Sequence, residues 1–163
     1  MNTKQAEKRQ VEKAQEDNTH CVLFICTGNT CRSPMAEAVY NYYAKKYNVN
    51  TKACSAGIAA SGMPMSSHAR TALIEEGYID ESYEHVSRQV NEEMCMSADS
   101  VVGMTEAHAM RLLMSFPICA TKIRALERDI ADPFGGYLET YRESLREIAS
   151  AVKSEFFGEF SEK

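Results

Sequence analysis

The sequence predicts an α/β fold, a parallel sheet wrapped by helices on both faces to give a three-layer sandwich. Three observations lead there. The continuous apolar run CVLFIC, residues 21–26, has the pattern of a strand buried on both faces. Further short apolar runs alternate with segments of helical periodicity, the order that parallel strands joined by helical crossovers require. With 163 residues, 44% of them hydrophobic and 25% charged, the chain can cover one sheet on two sides as a single domain.

The elements follow in order. Residues 1–19 are polar and lack an apolar stripe, and the like-charge pairs Lys4/Lys8 and Glu12/Glu16 weaken an isolated helix. They are expected to form a disordered extension ahead of a domain spanning 20–163. After the first strand, Pro34 suits the first turn of a helix capped by Ser33, with Ala36, Val39, Tyr43 and Tyr47 on its apolar stripe. VNTKACSAG (49–57) reads as a second strand closed by glycine, and SSHARTALIEEG (66–77) as a helix with serine caps and a glycine stop. A loop through HVSRQV (85–90) and a short helix lead to a third strand in DSVVGM (99–104). Thr105 then caps a helix with Ala109, Leu112, Leu113 and Phe116 on one face, ended by Pro117. ICATKIRAL (118–126) is a weaker fourth strand. The loop ERDIADPFGG (127–136) precedes a long helix with Leu138, Tyr141, Leu145, Ile148 and Val152 at three-four spacing, and FFGEF (156–160) completes its packing.

Charge and cysteine use narrow the function classes. A net charge of −5 argues against broad nucleic-acid binding or an anionic membrane surface, so an anionic ligand needs a local positive site. No run is long enough to span a membrane, and the first twenty residues hold no apolar signal-peptide core. The six cysteines fall mostly inside apolar segments, which with the missing export signal predicts reduced thiols and a cytoplasmic location. The histidines at 20, 68, 85 and 108 show no metal-ligand spacing, and neither a metal nor a cofactor is expected.

In open α/β sheets ligands bind where a strand's carboxyl end feeds a helix. The first strand ends at Cys26, so CTGNTCRSP (26–34) occupies that place. Gly28 is expected to relieve backbone strain, and Asn29 tolerates left-handed dihedrals. Thr27, Gly28, Asn29, Thr30 and Cys31 can then turn successive N–H groups inward as an anion nest at the following helix's positive end. Arg32 adds a planar fork matched to two oxygens of a tetrahedral anion. The same field favours a thiolate at Cys26, beneath the anion and aligned for attack on phosphorus, with Ser33 in reach of the sulfur. Alone, Cys26 reads as a buried strand residue and Arg32 as a solvated charge; their joint order between strand and helix favours chemistry. A leaving group needs a proton, for which Asp132 is the candidate. Phe134 sits beside it, where Pro133 stiffens the loop and Gly135 and Gly136 leave room. Cys31 reads equally as a redox partner for Cys26 or as a small packing residue.

The segments VLFICTGNTCRSPMAE, SAG, HVSRQ, SADSVVGMT and DPFGG, in this order and spacing, resemble the low-molecular-weight protein tyrosine phosphatase family over about residues 21–155. The likeness is strongest to the bacterial branch that contains protein arginine phosphatases. It implies a four-stranded parallel sheet in the order 2-1-3-4. Cys26 is by this resemblance the nucleophile that forms a phosphocysteine, and Arg32 the ligand of phosphate and transition state. Asp132 is the general acid, then the base for the hydrolytic water. Asn29, Ser33, Ser55 and His85 match positions that hold the loop in shape. The implied partners are phosphorylated protein substrates, with inorganic phosphate or other oxyanions as product or inhibitor.

Other functions fit less well. Arsenate reductases need two further cysteines close together, whereas Cys95 and Cys119 are distant in sequence. Phosphoryl carriers have no use for Arg32 and Asp132 in these roles, and a catalytically dead binding module would have lost the nucleophile or the acid. Within the phosphatase reading, Thr30 mildly favours phosphoarginine; phosphotyrosine is the alternative.

Overall fold

The computed structural model describes Gln5 and residues 19–160. The expected extension, residues 1–19, otherwise lies outside the described residues. Four strands, β1 (His20–Cys26), β2 (Thr51–Gly57), β3 (Ser100–Gly103) and β4 (Ile123–Ala125), form one sheet in the order β2-β1-β3-β4. All pairings are parallel, with His20 to Cys26 opposite Thr51 to Gly57 and Val22 to Ile25 opposite Ser100 to Gly103. Among the described residues from His20 onward, five helices flank it: α1 (Arg32–Lys46), α2 (Ser67–Glu75), α3 (Glu92–Ser97), α4 (Glu106–Ser115) and α5 (Leu138–Phe157).

Alternation along β1 separates the layers. Val22, Phe24 and Cys26 face a core shared with α1, α2 and α5. Leu23 and Ile25 face a second core with α3 and α4, built around Cys95, Ala109 and Leu112. Every residue from Val22 to Ile25 is fully buried, the reason the segment is apolar without a polar face. Phe24 packs edge-to-face on Tyr40 and Phe156, with ring centres 5.9 and 5.8 Å away. Phe157, 1% exposed, closes the tail over Tyr40 and Tyr43 as its sequence implied. No helix among the described residues is long and apolar enough to cross a membrane.

Several local expectations are corrected. Helix α1 begins at Arg32 with Cys31 at its N-cap position and no side-chain cap, because the Ser33 side chain turns to Cys26 instead. Ser66 occupies the N-cap position of α2 without a side-chain cap bond. Thr105 does cap α4, accepting from the His108 N–H at 3.2 Å, while Leu113 is 38% exposed and leaves that helix's buried face. The expected long fourth strand is mostly a 3₁₀ turn, Pro117–Lys122, leaving only Ile123–Ala125 to pair. Pro117 starts that turn, and Lys122 ties its end to the carbonyls of Met96 and Ala98.

Gly57 lets the loop after β1, residues 27–31, cross the sheet end. A Cβ there would lie 2.5 Å from the Thr27 carbonyl oxygen, so only glycine admits this approach.

Candidate active site

The site forms where β1 ends and α1 begins, at the carboxyl edge of the sheet. Its left-handed residue is Asn29, φ 55°, rather than Gly28; a Cβ on Gly28 would meet nothing closer than Thr30 Oγ1 at 3.8 Å. Asn29 holds this conformation because it is buried and bonded on every side. Its side-chain amide donates to Ser33 Oγ (2.9 Å) and Ser55 Oγ (3.0 Å), and its Oδ1 accepts from the Arg88 N–H (3.1 Å). Its carbonyl lies 2.8 Å from His85 Nε2. Ser55 donates in turn to Glu37, whose carboxylate also stands 4.0 Å from His85 Nδ1. Burial raises the Glu37 pKa, and the bond from Ser55, then the nearby His85 and Arg88 acting through space, oppose that shift.

This scaffold surrounds the Cys26 sulfur, which lies 2.9 Å from Ser33 Oγ and accepts the Asn29 N–H at 3.3 Å. Both contacts can stabilise a thiolate. The Arg32 guanidinium is nearly buried; one nitrogen donates to the Ile130 carbonyl at 3.0 Å, and the other lies 3.5 Å from Asp132 Oδ2. Asp132 is half-exposed, and its Oδ1 accepts the Phe134 N–H at 3.1 Å in a side-chain turn. Phe134 projects into solvent, 77% exposed.

Cys26 through Arg32, Asp132 and Phe134 line one cavity of about 220 Å³. The predicted catalytic and substrate-binding residues thus meet there, except Ser33, which lies beneath and reaches it through the sulfur. Ser55 and His85 stand behind Asn29. A larger cavity of about 770 Å³, between Tyr42, Tyr78 and Tyr83, contains none of these groups; chemistry rather than size locates the site.

Sequence reasoning missed four supports: Glu37, Arg88, the Ile130 carbonyl and His108. Glu37 follows Ser33 by one helical turn, a spacing that could have flagged it. His108 is buried and bridges the site, with Nε2 3.0 Å from Thr27 Oγ1 and Nδ1 2.9 Å from Thr105 Oγ1. The Thr-x-x-His spacing of a helix N-terminus was its only local signal. Burial first, then the Arg32 charge, lowers its pKa to about 4.

That shift predicts a pH dependence. The native imidazole stays neutral down to about 4, whereas the unfolded chain takes up its proton near ~6.5. Between those values the unfolded state binds more protons, so His108 costs stability as pH falls through the window and adds no slope above it. Urea unfolding at pH 7 and pH 5 checks this: His108→Gln is expected to lose less stability between the two than the native chain.

The other thiols are instructive. All six cysteines are free. Cys95 and Cys119, distant in sequence, pack in the same second core, which corrects the expectation that they lie apart. Burial, then the neighbouring Cys119, pushes the Cys95 thiol up to about 11. Such a buried, protonated thiol is a poor relay nucleophile, so arsenate reduction gains nothing from the proximity.

Several known proteins resemble this chain in sequence and in fold. The family model described as low molecular weight phosphotyrosine protein phosphatase matches residues 21–162. A protein-arginine-phosphatase of Bacillus subtilis (strain 168) is 35% identical over 149 residues, covering 82% of this chain and 97% of its own. The low molecular weight protein-tyrosine-phosphatase PtpB of Staphylococcus haemolyticus is 31% identical over 133 residues, covering 78% of this chain and 91% of its own. The crystal structure of a low molecular weight protein tyrosine phosphatase from T. tengcongensis superposes with a TM-score of 0.78 at 38% identity, over 82% of this chain and 95% of that one. The chain belongs to the low molecular weight phosphotyrosine protein phosphatase family.

Proposed function

We propose that the protein hydrolyses phosphorylated protein side chains through a phosphocysteine at Cys26, with phosphoarginine favoured over phosphotyrosine. One observation carries the reading: Cys26, Arg32 and Asp132 line the same small cavity, the sulfur already bonded to Ser33 and the Asn29 N–H. The loop amides and Arg32 bind the phosphoryl oxygens and neutralise the charge they carry in the transition state. The Cys26 thiolate attacks phosphorus as the bond to the leaving oxygen or nitrogen breaks, and Asp132 delivers that atom's proton. Asp132, now a carboxylate, takes a proton from water as it attacks the phosphocysteine. Inorganic phosphate leaves and the thiolate returns, so no cofactor is consumed. Turnover of a simple aryl phosphate with release of phosphate tests this against a carrier, which would retain it.

The substrate preference rests on Thr30 and its surroundings. Thr30 lines the cavity as a half-buried hydroxyl, its carbonyl fixed by the Ser66 N–H at 2.9 Å. A hydroxyl-bearing wall covers an aryl ring poorly and tolerates the polar nitrogens of a guanidinium. Protonated Asp132 can accept a guanidinium N–H on its carbonyl oxygen while its hydroxyl gives the leaving nitrogen a proton, and Phe134 can stack on the guanidinium face. The arginine phosphatase of Bacillus subtilis, at 35% identity, supports the same direction. Changes of this size in a pocket alter discrimination by roughly 10–200-fold, so residual phosphotyrosine turnover is expected. Parallel phosphate release from phosphoarginine and phosphotyrosine peptides checks it. Thr30→Ile should depress the first and spare or raise the second; equal scaling of both, or a native preference for phosphotyrosine, would replace this reading with the tyrosine one.

A further inference from the structure

Two cysteines with no part in the mechanism touch each other at the far end of β1. Cys21 Sγ lies 3.8 Å from Cys54 Sγ across the β1–β2 pair. Five residue steps of extended chain lead from Cys21 to the nucleophile, roughly 16 Å at the rise of a strand. Both thiols are half-buried and line a cavity of about 240 Å³ together with Arg88, Glu93 and Met94. They are therefore reachable by a small oxidant, unlike Cys95 and Cys119, 0% and 2% exposed. We propose that Cys21 and Cys54 form a second thiol-oxidation site, where a hydroperoxide converts the pair to a disulfide remote from Cys26.

The environment divides the labour between the two sulfurs. The bond from Cys54, then the charges of Lys52 and Arg88, lowers Cys21 to about 7 against the opposing effects of burial and Asp99. The same bond, with burial, raises Cys54, which therefore holds its proton. Cys21 is the attacking thiolate. It takes one peroxide oxygen as the O–O bond breaks, and the departing oxygen picks up a proton and leaves as water or an alcohol. Oxidation removes the Cys21 charge that held the Cys54 proton. Cys54 then loses that proton and attacks the sulfenic sulfur; the S–O bond breaks and water leaves. The two sulfurs together lose the two electrons that the peroxide gains.

The bridge is placed to be felt at the phosphate loop. Cys54 stands two positions beyond Lys52, the register partner of Cys21, so bonding draws the edge strand β2 along β1. The next residue, Ser55, receives the Asn29 side-chain amide, and its carbonyl accepts the Arg88 guanidinium Nε–H at 3.0 Å. Arg88 lines the dithiol cavity and also holds Asn29 through its backbone N–H. Oxidation is therefore expected to lower turnover several-fold without touching Cys26.

Cys26→Ser protein, whose nucleophile cannot oxidise, isolates the distal pair. After mild hydrogen peroxide and alkylation, non-reduced peptide mass spectrometry should find Cys21 linked to Cys54, with the link lost on adding dithiothreitol. Thiols equally alkylated before and after peroxide, or Cys21 carried to the sulfinic acid without a linked partner, would overturn the site. The rate readout rests on the proposed phosphatase activity, whereas the crosslink does not, so the two can fail separately. Native protein oxidised with its loop filled by inorganic phosphate should lose turnover, and Cys21→Ser should resist that loss. Equal loss in both, or a linked pair at unchanged rate, would overturn the coupling.

Discussion

Replacing Cys26 with serine is expected to abolish turnover while leaving phosphate binding nearly intact. The hydroxyl fills almost the same volume and can still pair with Ser33, 2.9 Å from the native sulfur, so the buried position does not collapse. It is not a thiolate, and neither Ser33 nor the Asn29 N–H can remove its proton. Loss of a covalent nucleophile of this kind costs on the order of 10⁴–10⁶-fold in rate. The proposed anion nest would belong to the loop backbone, where Asn29 sits at φ 55°, and Arg32 stays anchored on the Ile130 carbonyl. Initial rates on an aryl phosphate and a phosphate titration followed by thermal shift measure the two halves. An active serine variant would remove the covalent mechanism.

Asp132→Ala is expected to slow hydrolysis by roughly 10²–10⁴-fold, the usual worth of a positioned acid. Little of that loss should come from misfolding, since Asp132 is half-exposed and, among the described residues, bonds within its own turn and to Arg32. Removing a carboxylate 3.5 Å from the guanidinium also leaves Arg32 a more favourable host for an anion, so phosphate should bind at least as tightly. The signature is leaving-group dependence. Aryl phosphates with acidic phenols depart without help, so their deficit in the first step should shrink. An equal loss across the series would give Asp132 a different role.

The central apolar strand, the helix-strand alternation and the phosphate loop were legible in the sequence because each is a local pattern. CVLFIC has no polar face, and it forms an inner strand, paired on both edges and covered by helices on both sides. What escaped depends on distance in sequence. Ser33 looks like a helix cap until the Cys26 sulfur, seven residues earlier, claims its hydroxyl. The 3₁₀ turn after Pro117 reads as strand because its apolar residues match either state, and only tethering by Lys122 to Met96 and Ala98 decides between them. His108 reaches Thr27 across 81 positions, and Arg32 reaches Ile130 across 98. No window of sequence contains such pairs. Cys95 and Cys119 show the reverse error, distance along the chain mistaken for distance in space.

Direct trapping of the intermediate tests the mechanism most sharply. Asp132→Ala protein should be mixed with an aryl phosphate of acidic phenol, quenched within a turnover and mapped by mass spectrometry. Such a substrate still phosphorylates Cys26, whereas hydrolysis of the adduct lacks its base, so the covalent form accumulates. The expected result is one phosphoryl group on Cys26, formed with a burst of phenol and absent from a Cys26→Ala control. Phenol release with no covalent phosphate at any time, or phosphate on a residue other than Cys26, would contradict the mechanism.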